Sequence, residues 1–180
     1  AQEMIQLLGD FLRHALKQDS VESVTLEEEI ESLMLYLNIE RVRFEDRLRL
    51  QFDLDPASLE ARIPALLIQP IIENAMKYAI SESEDGGTLF LASRIDAGRL
   101  LLEVADTGPG YESEQSEEGR GIGLRNVKER LQTLYGDRHE FKLSENKPTG
   151  LKVSISLPLQ FTHREMVPGE SAEDLELAQA

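Results

Sequence analysis

The sequence contains no cysteine. Disulfides, thiolate metal sites and thiol nucleophiles are thereby excluded, and the composition suits a reducing compartment. A long apolar run is also missing. No stretch approaches the ~18 to 20 residues of a membrane span, and residues 1–20 lack the layout of a signal peptide. Positive charge is short, with 19 Lys and Arg against 34 Asp and Glu, a formal net charge of −15. Such a polyanion has no bulk attraction for nucleic acid or anionic lipid, so any anion it binds needs a locally assembled site. What remains, 41% hydrophobic residues in a chain of 180, can bury one substantial core with appendages. The chain begins with Ala rather than Met, which suggests a piece of a longer protein.

Hydrophobic spacing organises the chain. Met4, Ile5, Leu8, Phe11, Leu12, Ala15 and Leu16 recur at helical intervals. After a polar break, Thr25 and Glu28 form a capping-box pair, and Leu26, Ile30, Leu33 and Leu37 continue as a second, longer helix through Phe44. The two stripes predict a helical hairpin that packs against a second chain. From Leu48 to Leu54 apolar and polar residues alternate, which marks a strand. A helix is expected over residues 64–80 with Pro64 in its first turn, then a hairpin of strands over 88–95 and 99–105. A Gly-rich polar stretch covers 106–121, a helix 122–135, and a last hairpin 139–144 and 151–157. From residue 160 the sequence is acidic and poor in apolar clusters, as in a disordered tail. The fold expected from this order is a two-layer α/β sandwich on a helical stalk, with antiparallel pairing from the hairpins. The divisions are 1–45, 46–159 and 160–180.

Three segments carry residue types suited to a magnesium nucleotide. On the middle helix Glu73, Asn74, Lys77 and Tyr78 share one face opposite the apolar stripe. An amide oxygen and a nearby carboxylate suit a hard cation that keeps its waters, and Lys77 suits a phosphate; a solvated face with a Glu73–Lys77 ion pair is the plainer alternative. The second segment is Asp106-Thr107-Gly108-Pro109-Gly110, directly after a strand. A carboxylate at a strand end can accept from an exocyclic amine, and an Asx turn is the plainer alternative. In the third, Gly119-Arg120-Gly121-Ile122-Gly123-Leu124 runs into a helix, where free backbone amides and the helix dipole favour an anion. Residues 119–130 hold Arg120, Arg125, Lys128 and Arg130 against Glu129 alone, a local excess of +3 in a chain of −15.

Together, "ALLIQPIIENA" (65–75), "DTGPG" (106–110) and "GRGIGLRNVKERL" (119–131) resemble the N, G1 and G2 boxes of the Bergerat ATP-binding fold. Sensor histidine kinases, type II topoisomerases, heat-shock chaperones and mismatch-repair ATPases share that fold. With "YLNIERVRFEDRL" (36–48) and "IPALLIQPIIENA" (63–75), the chain resembles the LytS-type sensor histidine kinases in particular, over about residues 4–158. The resemblance implies ATP and Mg2+ as cofactors, with Asn74 binding the metal and Glu73 holding its water or acting as base. It implies Lys77 and Tyr78 at the phosphates or ribose, and Asp106 at the adenine amino group in a pocket shaped by Gly108 and Gly110. Gly119, Arg120, Gly121, Gly123 and Leu124 would form the phosphate-side hinge of a lid over 107–121. Thr149-Gly150 resembles a weaker last box. Pro70 and Thr107 depart from the asparagines common at those positions in orthodox kinases. Glu112, Glu114, Glu117 and Glu118 would repel ATP if they faced it, so a mobile lid with these side chains in water is expected.

Phosphotransfer needs an imidazole within reach of the γ-phosphate. Of His14, His139 and His163, none fits the acceptor segment of the LytS type, and His14 matches a stalk position downstream of it. The expected function is the ATP-binding catalytic domain of a two-component sensor histidine kinase. It would phosphorylate a histidine upstream of this fragment, which is not expected to autophosphorylate alone. The implied partners are a second copy in a homodimer and a response regulator. Placement is expected to be cytoplasmic, with membrane attachment only through missing upstream regions and no nucleic acid bound. The alternatives are a non-catalytic ATP-binding dimerisation module and an anti-sigma-type serine kinase.

Overall fold

Thr25 starts the first described helix by a reciprocal exchange. Its Oγ1 accepts from the Glu28 amide (3.2 Å), and its own amide donates to Glu28 Oε2 (2.8 Å). This is the capping box that the spacing predicts. Helix α1 (Leu26–Phe44) carries Glu27, Glu28 and Glu29 at its positive end and Arg41 and Arg43 at its negative end, both of which oppose the macrodipole favourably. It stops at Glu45, which has a positive φ of 50°. The computed structural model describes residues 23–81, 83–108 and 117–161, with the backbone alone for 117–122. The expected helix over residues 4–16, His14, Gly110, the lid glutamates Glu112 and Glu114 and His163 lie outside those residues, as do the side chains of Glu117 and Glu118.

Five strands form the main sheet in the order β2 (Leu48–Leu54), β4 (Gly87–Asp96), β5 (Arg99–Asp106), β7 (Leu151–Pro158), β6 (Glu140–Glu145). The hairpins pair antiparallel as expected, Leu91 facing Val104 and Phe141 facing Ile155. One pairing was not anticipated: β2 runs parallel to β4, with Leu50 beside Leu89. Parallel neighbours need a crossover, and the chain between them supplies a helix, α2 (Gln69–Ala75). A second, two-stranded sheet joins β1 (Ser23–Thr25) to β3 (Arg62–Pro64).

Alternation along the strands decides which face is covered. Leu100, Leu102 and Val104 of β5 and Val153, Ile155 and Leu157 of β7 are buried, and they share one core with the helices α1, α2 and α3 (Glu117–Tyr135). The opposite face carries ion pairs such as Lys152–Glu103 and Lys142–Glu140. Two layers result, as the residue pattern predicts. Leu26, Leu33 and Leu37 of α1 are fully buried in that core, each worth roughly 1.5 to 3 kcal/mol against exposure. The α1 stripe therefore packs into this chain's own core, where the hairpin expectation had turned it toward a second chain. Gln160 and Phe161, expected in the tail, rejoin the small sheet: Arg62 donates its amide to the Gln160 carbonyl (2.6 Å), and Phe161 bridges to Ala61.

Candidate functional site

The C-terminal end of β5 holds Asp106, which is buried, with Oδ1 accepting from the amides of Gly108 (2.9 Å) and Leu151 (3.2 Å). The Asx turn foreseen as the plainer alternative is thus real, and the second donor adds a link to the start of β7. Asn146 donates its side-chain amide to the Asp106 carbonyl (2.7 Å). The Thr107 hydroxyl accepts from the Thr88 amide (2.9 Å) and fastens the corner to β4. Two glycines are required here by close approach. A Cβ on Gly150 would meet the Asp106 carbonyl oxygen at 1.8 Å, and one on Gly108 would meet Ala79 Cβ at 2.4 Å. Ala79 belongs to the segment that follows α2, so Gly108 brings the Asp106 corner against the helix bearing the other candidate residues.

On that helix Glu73 is exposed and Asn74 half-buried, and Glu73 accepts from Gln69 Nε2 (2.8 Å). Beyond Ala75 the helix widens into a π turn over Met76–Ile80, closed by the Ser81 amide donating to the Met76 carbonyl (3.0 Å). Such widenings recur at functional positions because they re-aim side chains. Lys77 and Tyr78 ride on it, with the Lys77 ammonium 4.8 Å from the centre of the Tyr78 ring. Tyr36 of α1 has its phenol pushed up by burial and then by the charges of Glu40 and Glu73.

The start of α2 differs from the expectation. Pro64 ends β3, and helix α2 begins at Gln69, with Pro70 taking the first-turn role that Pro64 was expected to play. Leu66 is the physical reason: its φ of 56° is left-handed and breaks any helix running through it. The resulting turn is held from two helices. Glu29 of α1 accepts from the amides of Leu66 (2.8 Å) and Ile68 (2.9 Å), and Arg130 of α3 donates to the Ala65 carbonyl (2.6 Å). Burial pushes the Glu29 carboxyl above its usual range, against the pull of the Leu66, Leu67, Ile68 and Gln69 amides.

Helix α3 also starts earlier than expected, at Glu117 rather than 122, so Gly119, Arg120, Gly121 and Gly123 lie within its first turns. Glycines are poor helix formers, which is why the composition places them ahead of the helix. Leu124 is buried in the core, whereas Gly123 has nothing within 4 Å of a built Cβ. Of the basic cluster, Arg125 lies 3.8 Å from Glu129, and Arg130 is engaged by Ala65. Thr149 is exposed beside Gly150, and His139 Nδ1 is 2.6 Å from the Gly136 carbonyl oxygen.

Residues 60–161, over half of the chain, match the family described as histidine kinase-, DNA gyrase B-, and HSP90-like ATPase. The chain belongs to this ATPase family. Residues 1–48 match a second family, described as histidine kinase. Sensor histidine kinase YesM of Bacillus subtilis is 31% identical over 158 residues, 87% of this chain and 27% of that protein. BtsS of Escherichia coli is 32% identical over 158 residues, 88% and 28% of the two chains. The sensor protein LytS of Staphylococcus saprophyticus is 28% identical over 177 residues, 93% and 30%. The LytS-type resemblance is borne out, and the chain spans less than a third of the length of these relatives. Among solved structures, the Acinetobacter baumannii histidine kinase AdeS aligns with a TM-score of 0.58 at 19% identity, covering 88% of this chain and 80% of that one. The histidine kinase domain of a blue-light activated kinase from Erythrobacter litoralis EL346 gives 0.55 at 23%, covering 76% and 62%. Both show the fold.

In this histidine kinase-like ATPase domain the Asp106 corner therefore packs through Gly108 against Ala79, on the buried side of the segment that continues α2. Residue patterning missed Asn146 and Glu29. Glu29 sits in a run of three glutamates that suits a helix start and hides its partner. Its signal is phase, since residue 29 falls seven before Tyr36 and four before Leu33, on the buried side of α1. Among the described residues no helix is long and apolar enough to cross a membrane.

Proposed function

We propose that this domain binds Mg2+-ATP and transfers the γ-phosphate to a histidine carried outside these 180 residues, within a two-component sensor histidine kinase. That kinase would act as a homodimer and pass the phosphoryl group to a response regulator. The observation that carries the reading is the packing of the Asn74-bearing helical segment, through its buried Ala79, against Gly108 beside the buried Asp106 carboxylate at a strand end, a contact too close to admit a side chain at Gly108. The donor set fits the nucleotide. Asn74 supplies a neutral oxygen of the kind magnesium accepts alongside water and phosphate, and Glu73 and Lys77, both exposed on the same helix, offer a base and a cation. Asp106 would take the adenine amino group, its orientation fixed by the two amides on Oδ1. Magnesium, when bound, neutralises charge on the phosphates.

The chain's own contribution is positioning. Asn74 stands on α2 and Asp106 at the end of β5, so the phosphates and the base would each be held by a regular element. Gly108 keeps the ring's approach clear, and Lys77, Tyr78 and Thr149 would meet the ribose and phosphates. Gly119, Arg120, Gly121, Gly123 and Leu124 would form the hinge of a lid that includes Gly110. Glu73 would hold the metal's water or take the acceptor's proton. The proposed divisions are a stalk over 1–45, the ATP-binding domain over 46–159 and a tail over 160–180, with α1 sharing the core of the ATP-binding domain. ATP use points to a cytoplasmic placement, with membrane attachment left to regions outside the chain.

Labelling the longer protein with [γ-32P]ATP tests the reading. Acid-labile, base-stable label on histidine, lost in Asn74→Ala, is the expected result. Acid-stable label on serine would replace it with a serine kinase, and tight binding without any label would leave an ATP-ordered module.

A further inference from the structure

Helix α1 brackets the site helix at both ends. At the first, Glu29 is 1% exposed and accepts the Leu66 and Ile68 amides on its two oxygens, 2.8 and 2.9 Å away. At the second, Arg47, three residues beyond α1, donates to the Ser83 carbonyl in the loop that follows the π turn (2.5 Å). Between them Tyr36 lies close enough for Glu73 to act on its phenol. Ile68, the residue before α2, has no side-chain cap of its own, and the amides of the turn leading into the site helix take their acceptor from a different helix. Leu66 holds a left-handed φ of 56°, which costs a branched side chain unless its surroundings fix it. Glu29 holds the Leu66 amide itself, and Arg130 holds the Ala65 carbonyl beside it.

We propose that Glu29 is a positioning residue for the candidate nucleotide site: through the Leu66 and Ile68 amides it sets the direction in which α2 leaves the turn, and hence where Asn74 stands. Its effect on affinity rests on the Mg2+-ATP reading; its effect on geometry does not. A carboxylate is required because two converging N–H groups need two acceptor oxygens. Glutamine would keep one acceptor and turn an N–H donor toward the other amide. Because Glu29 lies on α1, inside the matched histidine kinase segment of residues 1–48, any rotation or slide of that helix reaches Asn74 through this contact.

The test uses the whole 180-residue chain as wild type, Glu29→Gln and Leu33→Ala. Leu33 is a fully buried residue one turn along α1 that is not part of the turn contact, so it controls for plain loss of stability. Binding of Mg2+ with β,γ-imido-ATP is measured by calorimetry well below each variant's melting temperature, and amide shifts of Glu73, Asn74 and Lys77 are recorded by NMR without nucleotide. Glu29→Gln is expected to weaken binding about tenfold more than Leu33→Ala and to move the three site amides where Leu33→Ala leaves them. Equal losses in the two variants, or unmoved site amides, overturn the proposal. If wild type does not bind the nucleotide, the ATP reading fails, and the amide shifts alone decide the role of Glu29. Should Glu29→Gln not fold, Glu29→Asp replaces it: one methylene shorter, it cannot serve both amides, and the same two readouts apply.

Discussion

Gly150 and Gly123 both border the candidate site, yet a methyl group would meet very different surroundings at each. At Gly150 it would lie 1.8 Å from the Asp106 carbonyl oxygen, in a backbone with φ of 121°; at Gly123 it would meet nothing within 4 Å. The sheet side is a closed corner, with Asp106, Gly108, Asn146 and Leu151 tied by hydrogen bonds into one arrangement. Near the start of α3, Gly123 has no packing reason to be glycine. Close approach explains the first kind of glycine. Backbone freedom is what remains for the second, which suits a hinge at the edge of a lid.

Substitutions on the two sides sharpen that contrast. Gly150→Ala should have the largest effect, lowering unfolding free energy by about 3 kcal/mol in urea titration because the clash is with backbone that cannot move aside. Arg130→Ala should cost about 2 kcal/mol by removing the charged donor on the Ala65 carbonyl, measured the same way. Asp106→Asn should leave stability nearly unchanged and weaken nucleotide binding about tenfold, or ~1.4 kcal/mol by calorimetry, since it reverses the group offered to an adenine amine. Gly123→Ala should be the smallest and opposite in sign, raising stability by about 0.5 to 1 kcal/mol through helix propensity. If it also slows nucleotide exchange, glycine serves a hinge there; if exchange is unaffected, the contrast between the two sides loses its functional meaning.

Much of the fold was legible because single segments announce themselves. Thr25 with Glu28 marked the start of α1, the alternation from Leu48 to Leu54 marked β2, and Asp96-Ala97-Gly98 marked the β4–β5 turn, where Ala97 and Gly98 both take positive φ. Asp106 and Gly108 were legible for a similar reason, standing two residues apart, whereas Asn146, which closes the corner from 40 positions away, was not. Features that depend on partners far along the chain were not. The left-handed Leu66 looks like one more apolar helix residue until Glu29, 37 positions away, is seen to hold it. The parallel β2–β4 pairing follows from a crossover, and short-range alternation is the same for either direction. The start of α3 was placed too late because glycine propensity argues against a helix that the fold nonetheless continues.

The small β1–β3 sheet has a mechanical consequence. The chain enters the described domain at Ser23 on one side of β3 and leaves at Gln160 on the other, bonded to Arg62. Both flanks thus pull on the same three-residue strand. Tension from either neighbour would be delivered first to β3 and, two residues beyond Pro64, to Leu66, so the domain is wired like a bell with both cords tied to one clapper.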